Sequence, residues 1–182
     1  MTKLLTWREG FGLCVKLSVL LAVIPTICNA QAAAKLTAHR LGITQVDGKA
    51  GICSATAAGA RLLLTASHCF GDSGDPKTMM VDGKPAGILA IERDGADHAL
   101  VRVSIRFGYV AKVGNTPIQG ASVYFYGNPG LNDIFRRGYV AGKYPDGGYV
   151  VDINVNFGDS GAGMFGATGE LVGVVSGFVT NG

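Results

Sequence analysis

Helix-forming periodicity is nearly missing from this chain, and so are clusters of charge. No long run repeats apolar residues at three- and four-residue spacing, which argues against an all-α fold. Charged residues make up 16% of the 182 positions, and net charge is +3. The first 32 residues hold Lys3, Arg8, Glu9 and Lys16; without them 13 basic and 12 acidic residues remain, a net of +1. No Lys/Arg cluster is interleaved with aromatics, so a nucleic-acid partner is not indicated. Histidine occurs three times and cysteine four times. No second Cys or His pair stands at ligand spacing, so a bound metal is not expected. No short internal repeat occurs.

Glycine, in contrast, is abundant, with 28 residues. It punctuates short apolar segments, the mark of an all-β chain rich in turns. In the first half, Ile43–Val46, Ala50–Thr56, Arg61–Thr65, Met79–Val81, Pro85–Glu92 and Ala99–Ser104 read as strands. Asp47-Gly48 and Asp82-Gly83 read as hairpin turns. These six strands suffice for a small barrel. Residues 107–116 have little pattern and link to a second set: Ser122–Tyr126, Ile134–Ala141, Tyr149–Val155, Gly161–Phe165 and Leu171–Ser176. Tyr124, Tyr126 and Tyr144 are expected in the core or on the barrel surface, and Arg136-Arg137 at a solvated strand edge.

The N-terminus reads as a secretory leader. Lys3, Arg8 and Lys16 precede the apolar stretch Leu17–Ile24, and Ala30-Gln31-Ala32 offers small-x-small cleavage after Ala30 or Ala32. The apolar run is short for a membrane span and Pro25 interrupts it. Bulky Ile27 before Cys28 disfavours a lipid anchor. The expected location is secreted or periplasmic, with no membrane attachment after cleavage. Cys14 and Cys28 fall in the leader, and the remaining pair, Cys53 and Cys69, reads as a disulfide in an oxidising compartment.

Two runs carry chemistry. Thr65-Ala66-Ser67-His68-Cys69 follows the apolar Leu62-Leu63-Leu64, and Gly158-Asp159-Ser160-Gly161 sets a serine between glycines. A serine hydroxyl is a weak nucleophile until a base takes its proton, and imidazole is suited to that at neutral pH. Glycines beside it let backbone N–H groups converge on a developing oxyanion. A shuffled chain of this composition would hold the serine run roughly once in a hundred trials and the histidine run a few times in ten thousand.

Together these runs resemble the trypsin/chymotrypsin-like serine proteases, in the compact bacterial or viral branch. Asp97-His98-Ala99-Leu100-Val101 lies between them in the right order, 29 residues after His68 and 63 before Ser160. Cys53-Ser54-Ala55-Thr56 and Leu171-Val172-Gly173-Val174-Val175-Ser176 extend the likeness, which runs from about Ile43 to Phe178. The resemblance implies two antiparallel β-barrels with the active site in the cleft between them. With the leader at 1–32, the first barrel falls at 33–107 and the second at 108–182, the last shortened at its C-terminus. His68 is then general base, Asp97 orients it, and Ser160 attacks the carbonyl. Gly158 and Ser160 N–H groups form the oxyanion hole, and Cys53–Cys69 is a bridge. Asn154 stands at the specificity-pocket floor, while Ser176 and Phe178 contact substrate.

A neutral floor and a bulky Phe178 point to a small or medium neutral side chain before the cut bond. Digestive relatives free an Ile-Val-Gly-Gly terminus to pair with the acid before the nucleophile. That run is missing here, so Asp159 needs another partner or faces solvent. His98 is expected at the surface or in packing, His39 solvated, and Asp94 is a weaker rival to Asp97 because it sits in an Asp-Gly turn. The reading is a monomeric secreted serine endopeptidase without cofactor, acting on protein or peptide. The alternative is an inactive protease-like binding protein.

Overall fold

The computed structural model describes residues 29–71, 76–127, 134–145 and 147–177. They form two antiparallel sheets. The first holds β1 (Ala38–Thr44), β2 (Ala50–Gly59), β3 (Leu62–Ala66), β4 (Thr78–Val81), β5 (Lys84–Pro85), β6 (Ile88–Arg93) and β7 (His98–Val103). The second holds β8 (Ser122–Gly127), β9 (Ile134–Lys143), β10 (Tyr149–Asp152), β11 (Gly163–Gly166) and β12 (Leu171–Val174).

Chain continuity curls the first sheet into a barrel. Its strand order is β5-β4-β1-β2-β3-β7-β6. The two outermost strands are separated in sequence by Ala86-Gly87 alone, so both ends of the sheet must meet. The expected strand Pro85–Glu92 is thereby divided. Proline has no N–H for a ladder, so β5 stops at Pro85 and pairs on one side only. Asp82 and Gly83 both have positive φ, 51° and 77°, as a two-residue type I′ hairpin demands. Inward alternation fills the barrel with Leu41, Ile43, Ala55, Leu63, Phe70, Val101 and Val103, all at most 2% exposed. Burying a side chain such as Phe70 stabilises by about 2 kcal/mol over leaving it in water.

The second sheet runs β10-β9-β8-β11-β12. Val123, Phe125 and Val140 form its core, backed by partly buried Val151, Ile153 and Val155. Tyr124 and Tyr126 are buried, whereas Tyr144 is exposed. The linking segment turns back onto this sheet through Leu171 N–H to Lys112 carbonyl (2.7 Å) and Gly114 N–H to Leu171 carbonyl (2.8 Å). This is the two-barrel arrangement expected from the sequence.

One helix was not anticipated. Residues 29–37 form α1, which leads into β1 five residues earlier than expected. Four of its residues are alanines, short enough to lie flat on the sheet. Ala30 and Ala34 are fully buried. Ala34 packs with Ala111, Tyr126, Phe165 and Leu171. The expected cleavage points after Ala30 and Ala32 fall inside this helix, so residues 29–32 of the expected leader are part of it; residues 1–28, with Cys14 and Cys28, lie outside the described residues. Among the described residues no helix is long and apolar enough to cross a membrane.

Candidate active site

β3 delivers His68. The strand ends at Ala66, and a 3₁₀ turn, Ser67–Phe70, presents the ring at the barrel mouth. Cys69 in that turn is bonded to Cys53 of β2, so the disulfide expected from the sequence is present. It clamps the turn to the barrel wall.

Asp97 reaches the ring from the start of β7. It lies one residue before the strand, with φ 65°. Aspartate tolerates this left-handed conformation better than most residues. The bend turns the carboxylate back across the turn. Its Oδ1 accepts the His68 N–H at 2.8 Å, and its Oδ2 lies 2.8 Å from His68 Nδ1. Its own carbonyl accepts the Ser67 N–H at 2.8 Å. A carboxylate can only accept, so the Nδ1 proton sits on the ring and Nε2 is left bare to act as a base. The Ser176 hydroxyl also donates to Oδ2. Burial works against the Asp97 charge, but the bonds from Ser176 and His68 outweigh it and hold the carboxyl below the usual carboxylate range.

Ser160 sits in the turn between β10 and β11, at the inner edge of the second sheet. Its carbonyl accepts the Ser54 N–H at 2.8 Å and lies 3.9 Å from Cys69 Sγ. The strand and turn that carry Cys53 and Cys69 therefore also fix the backbone of Ser160. Among the described residues no hydrogen bond joins the Ser160 hydroxyl to the His68 ring. Such contacts are commonly loose without substrate and tighten when it binds. Nor is the Gly158 or Ser160 N–H taken by a backbone acceptor among the described residues.

Asp159 does have another partner. Its side chain is wholly buried, and Arg136 Nη2 approaches its Oδ2 at 3.4 Å. The Asn156 N–H donates to the same oxygen at 2.8 Å. Burial pushes the Asp159 carboxyl up, partly offset by the Asn156 N–H and Arg136. Oδ1 finds no hydrogen-bond partner. Arg136 was expected at a solvated edge; instead its side chain is 12% exposed and lies over the Phe125 ring. Sequence gave no sign of this, because β9 brings Arg136 to Asp159 across 23 residues of chain.

The other expectations fare differently. Asn154 is exposed, between Ile153 and Val155, which pack inward. Phe178 lies outside the described residues. His39 is not solvated. Its side chain is 15% exposed, with Nδ1 2.7 Å from Asp82 Oδ2, and its ring meets Phe107 at 4.5 Å. β1 starts early enough to bring it under the Asp82-Gly83 hairpin. Asp94 is no rival for His68, because it holds His98 Nδ1 at 2.6 Å and the Ala96 and His98 N–H groups. Opposing burial, these bonds lower its pKa to about 2. Among the described residues no group of three or more His, Cys, Asp or Glu side chains is placed to hold a metal.

Two curled antiparallel sheets with a disulfide-clamped His–Asp pair at their junction define a chymotrypsin-like protease fold. The pattern of the trypsin-like peptidase domain family matches residues 50–174. The chain belongs to that family. Solved structures agree on the fold. The active form of an M. tuberculosis protease superposes with TM-score 0.70 at 19% identity, covering 86% of this chain and 77% of that one. A serine endoprotease from Yersinia pestis gives TM-score 0.68 at 19% identity, covering 82% of this chain and 57% of its own. The HtrA-type protease AlgW with tripeptide gives 0.67 at 22% identity, covering 81% and 53%. The chain thus spans little more than half of the last two structures. No curated protein sequence matches it.

Proposed function

We propose that this chain is a serine endopeptidase working through a covalent acyl-enzyme on Ser160. The observation that carries the reading is the two-point grip of Asp97 on His68, which orients the ring and fixes its tautomer. In this mechanism His68 Nε2 takes the Ser160 proton as Oγ attacks the scissile carbonyl carbon. Negative charge gathers on the carbonyl oxygen, and the Gly158 and Ser160 N–H groups receive it. The C–N bond then breaks, and the proton on Nε2 passes to the leaving amine. Water then attacks the acyl carbon and loses a proton to His68; the bond to Ser160 Oγ breaks, the acid leaves, and His68 returns the proton to Oγ. Asp97 stays ionised throughout and stabilises the imidazolium.

The substrate is a protein or peptide held in extended form along Ser176 and Phe178, in the added-strand manner that needs no particular sequence. Asn154 at the pocket floor favours a small or medium neutral residue before the cut. The working form is a monomer of two barrels, 33–107 and 108–182, freed from a leader at 1–32. The Cys53–Cys69 disulfide supports an oxidising, extracytoplasmic setting.

A fluorophosphonate probe tests the reading. Wild type should label and hydrolyse an unstructured protein, and Ser160→Ala should do neither. A folded wild type that ignores the probe would favour the binding-protein alternative. A cleavage map dominated by Lys or Arg would refute the assigned specificity.

A further inference from the structure

Ser54 is wholly buried on β2, with its N–H and hydroxyl engaged across the seam and its carbonyl held within the first barrel. Its N–H donates to the Ser160 carbonyl at 2.8 Å, and its hydroxyl donates to the Gly158 carbonyl at 2.7 Å. Its own carbonyl accepts the Thr65 hydroxyl at 2.7 Å. Thr65 stands three residues before His68. One first-barrel residue therefore grips the carbonyls on both sides of Asp159, and is itself fixed to the strand that delivers the histidine.

The grip falls on a hinge. Gly158 has φ 92°, and glycine alone crosses such conformations freely. The peptide unit from Gly158 to Asp159 is pinned at two points. Ser54 Oγ holds its carbonyl, and the Asn156 carbonyl accepts its N–H at 3.1 Å. This unit lies between the Gly158 and Ser160 N–H groups. Rotating it changes ψ of residue 158 and φ of residue 159, so one N–H turns relative to the other. An oxyanion site works only if both donors already point at one place.

We propose that Ser54 is a positioning residue whose hydroxyl sets the aim of the two oxyanion donors. It rests on the acyl-transfer reading and touches no substrate. Its effect belongs to the transition state, because the donors matter most when charge is on the oxygen. Losing one positioning bond should lower kcat about tenfold, the net worth of a neutral hydrogen bond. That is less than the roughly 10²- to 10³-fold lost when a donor itself is removed.

Ser54→Ala and Ser54→Gly both delete the hydroxyl and keep the N–H, while Ser54→Thr keeps the hydroxyl. Each would be assayed on a peptide that wild type cleaves, with rates scaled to the fraction that folds. Inhibition by a peptide boronic acid, which forms a tetrahedral adduct on serine, would be compared with inhibition by the product peptide. The expected result is a roughly tenfold fall in kcat and in boronate affinity for the hydroxyl-free variants. KM and product affinity stay put, and Ser54→Thr recovers most of kcat. Retention of kcat within twofold by a folded hydroxyl-free variant overturns the assignment. So does an equal loss of boronate and product affinity, which marks a merely structural bond. A wild type inert to peptides and to fluorophosphonate is a separate outcome, which removes the acyl-transfer reading and this inference with it.

Discussion

At Gly161 the backbone of the second barrel runs tight against the first, and replacing it with alanine measures how tightly the seam is built. A Cβ there would lie 2.1 Å from both the Ser54 carbonyl oxygen and Thr65 Oγ1, and 3.0 Å from Ala66 N. Residue 161 also has φ +87°. Two costs follow. Holding alanine in the left-handed region costs roughly 1–2 kcal/mol. Forcing the strands apart by the better part of an ångström adds overpacking of about 1–3 kcal/mol. It also strains the Gly161 N–H bond to Val175 and the Ser54 N–H bond to Ser160, at 2.7 and 2.8 Å. The total is about 3–4 kcal/mol. Gly83→Ala is the matched control: its φ is +77°, but nothing lies within 4 Å of the added carbon. It bears the backbone cost alone. At about 2–4 °C per kcal/mol for a chain of this size, Tm should fall by roughly 3 °C for Gly83→Ala and about 10 °C for Gly161→Ala. Urea unfolding of both variants gives the same comparison. Equal losses would refute the reasoning, because they would mean that the sheets do not meet where Gly161 stands.

Other substitutions probe separate parts of the site. Arg136→Ala leaves the Asp159 carboxylate buried without its cation, which should cost about 3–5 kcal/mol at neutral pH. Because burial already raises the Asp159 pKa, its neutral form is the one the fold favours; that share of stability is present in acid and lost as pH rises through the folded value. The deficit should therefore shrink between pH 7 and pH 4, and a pH-independent deficit in urea midpoints would contradict the pairing. Removing both Cys53 and Cys69 opens a crosslink spanning 16 residues, worth about 3 kcal/mol by loop entropy; a variant as stable as wild type would show that the clamp adds nothing. Asp97 has the opposite sign from Asp159. Its pKa is lowered, so its stabilising share is present above the unfolded value of about 3.9 and lost as pH falls through the lower folded one. Asp97→Asn should flatten acid unfolding below about pH 4, and an unchanged acid limb would count against the His68 and Ser176 bonds. Asp94, half exposed and also lowered, should add a smaller loss in the same range.

What the sequence disclosed was whatever short runs encode by themselves. Asp82-Gly83 specifies its own hairpin because both residues tolerate positive φ. The Leu62-Leu63-Leu64 strand and the turn after it locate His68 in the chain, although Asp97 and the Cys53–Cys69 bridge hold it there. Pro85 misled the strand reading, since its missing N–H ends β5 whatever its apolar neighbours favour. Helix α1 escaped notice for a related reason. Five residues of 29–37 other than alanine carry no helical stripe, and its small buried face has meaning only against Phe165 and Leu171 of the second sheet.

The seam itself was illegible for a deeper reason. Ser54, Thr56 and Thr65 are at most 1% exposed, yet they sit in β-strands, where serine and threonine ordinarily mark a solvent face. Alternation alone would turn them outward. Thr65 points inward onto the Ser54 carbonyl, whereas Ser54 and Thr56 find backbone partners in the second barrel: Thr56 Oγ1 accepts the Gly163 N–H at 2.8 Å, and Ser54 Oγ donates to the Gly158 carbonyl at 2.7 Å. Those partners lie more than 100 residues away, so no local pattern records them. Arg136 and Asp159 follow the same logic, each an ordinary surface residue by type and each buried because the other is there. A polar residue at an apolar position of a strand is therefore the sequence trace of this site's second layer. In this chain it marks the residues that hold the motif runs in place, whereas the motif runs mark only the atoms at the cleft.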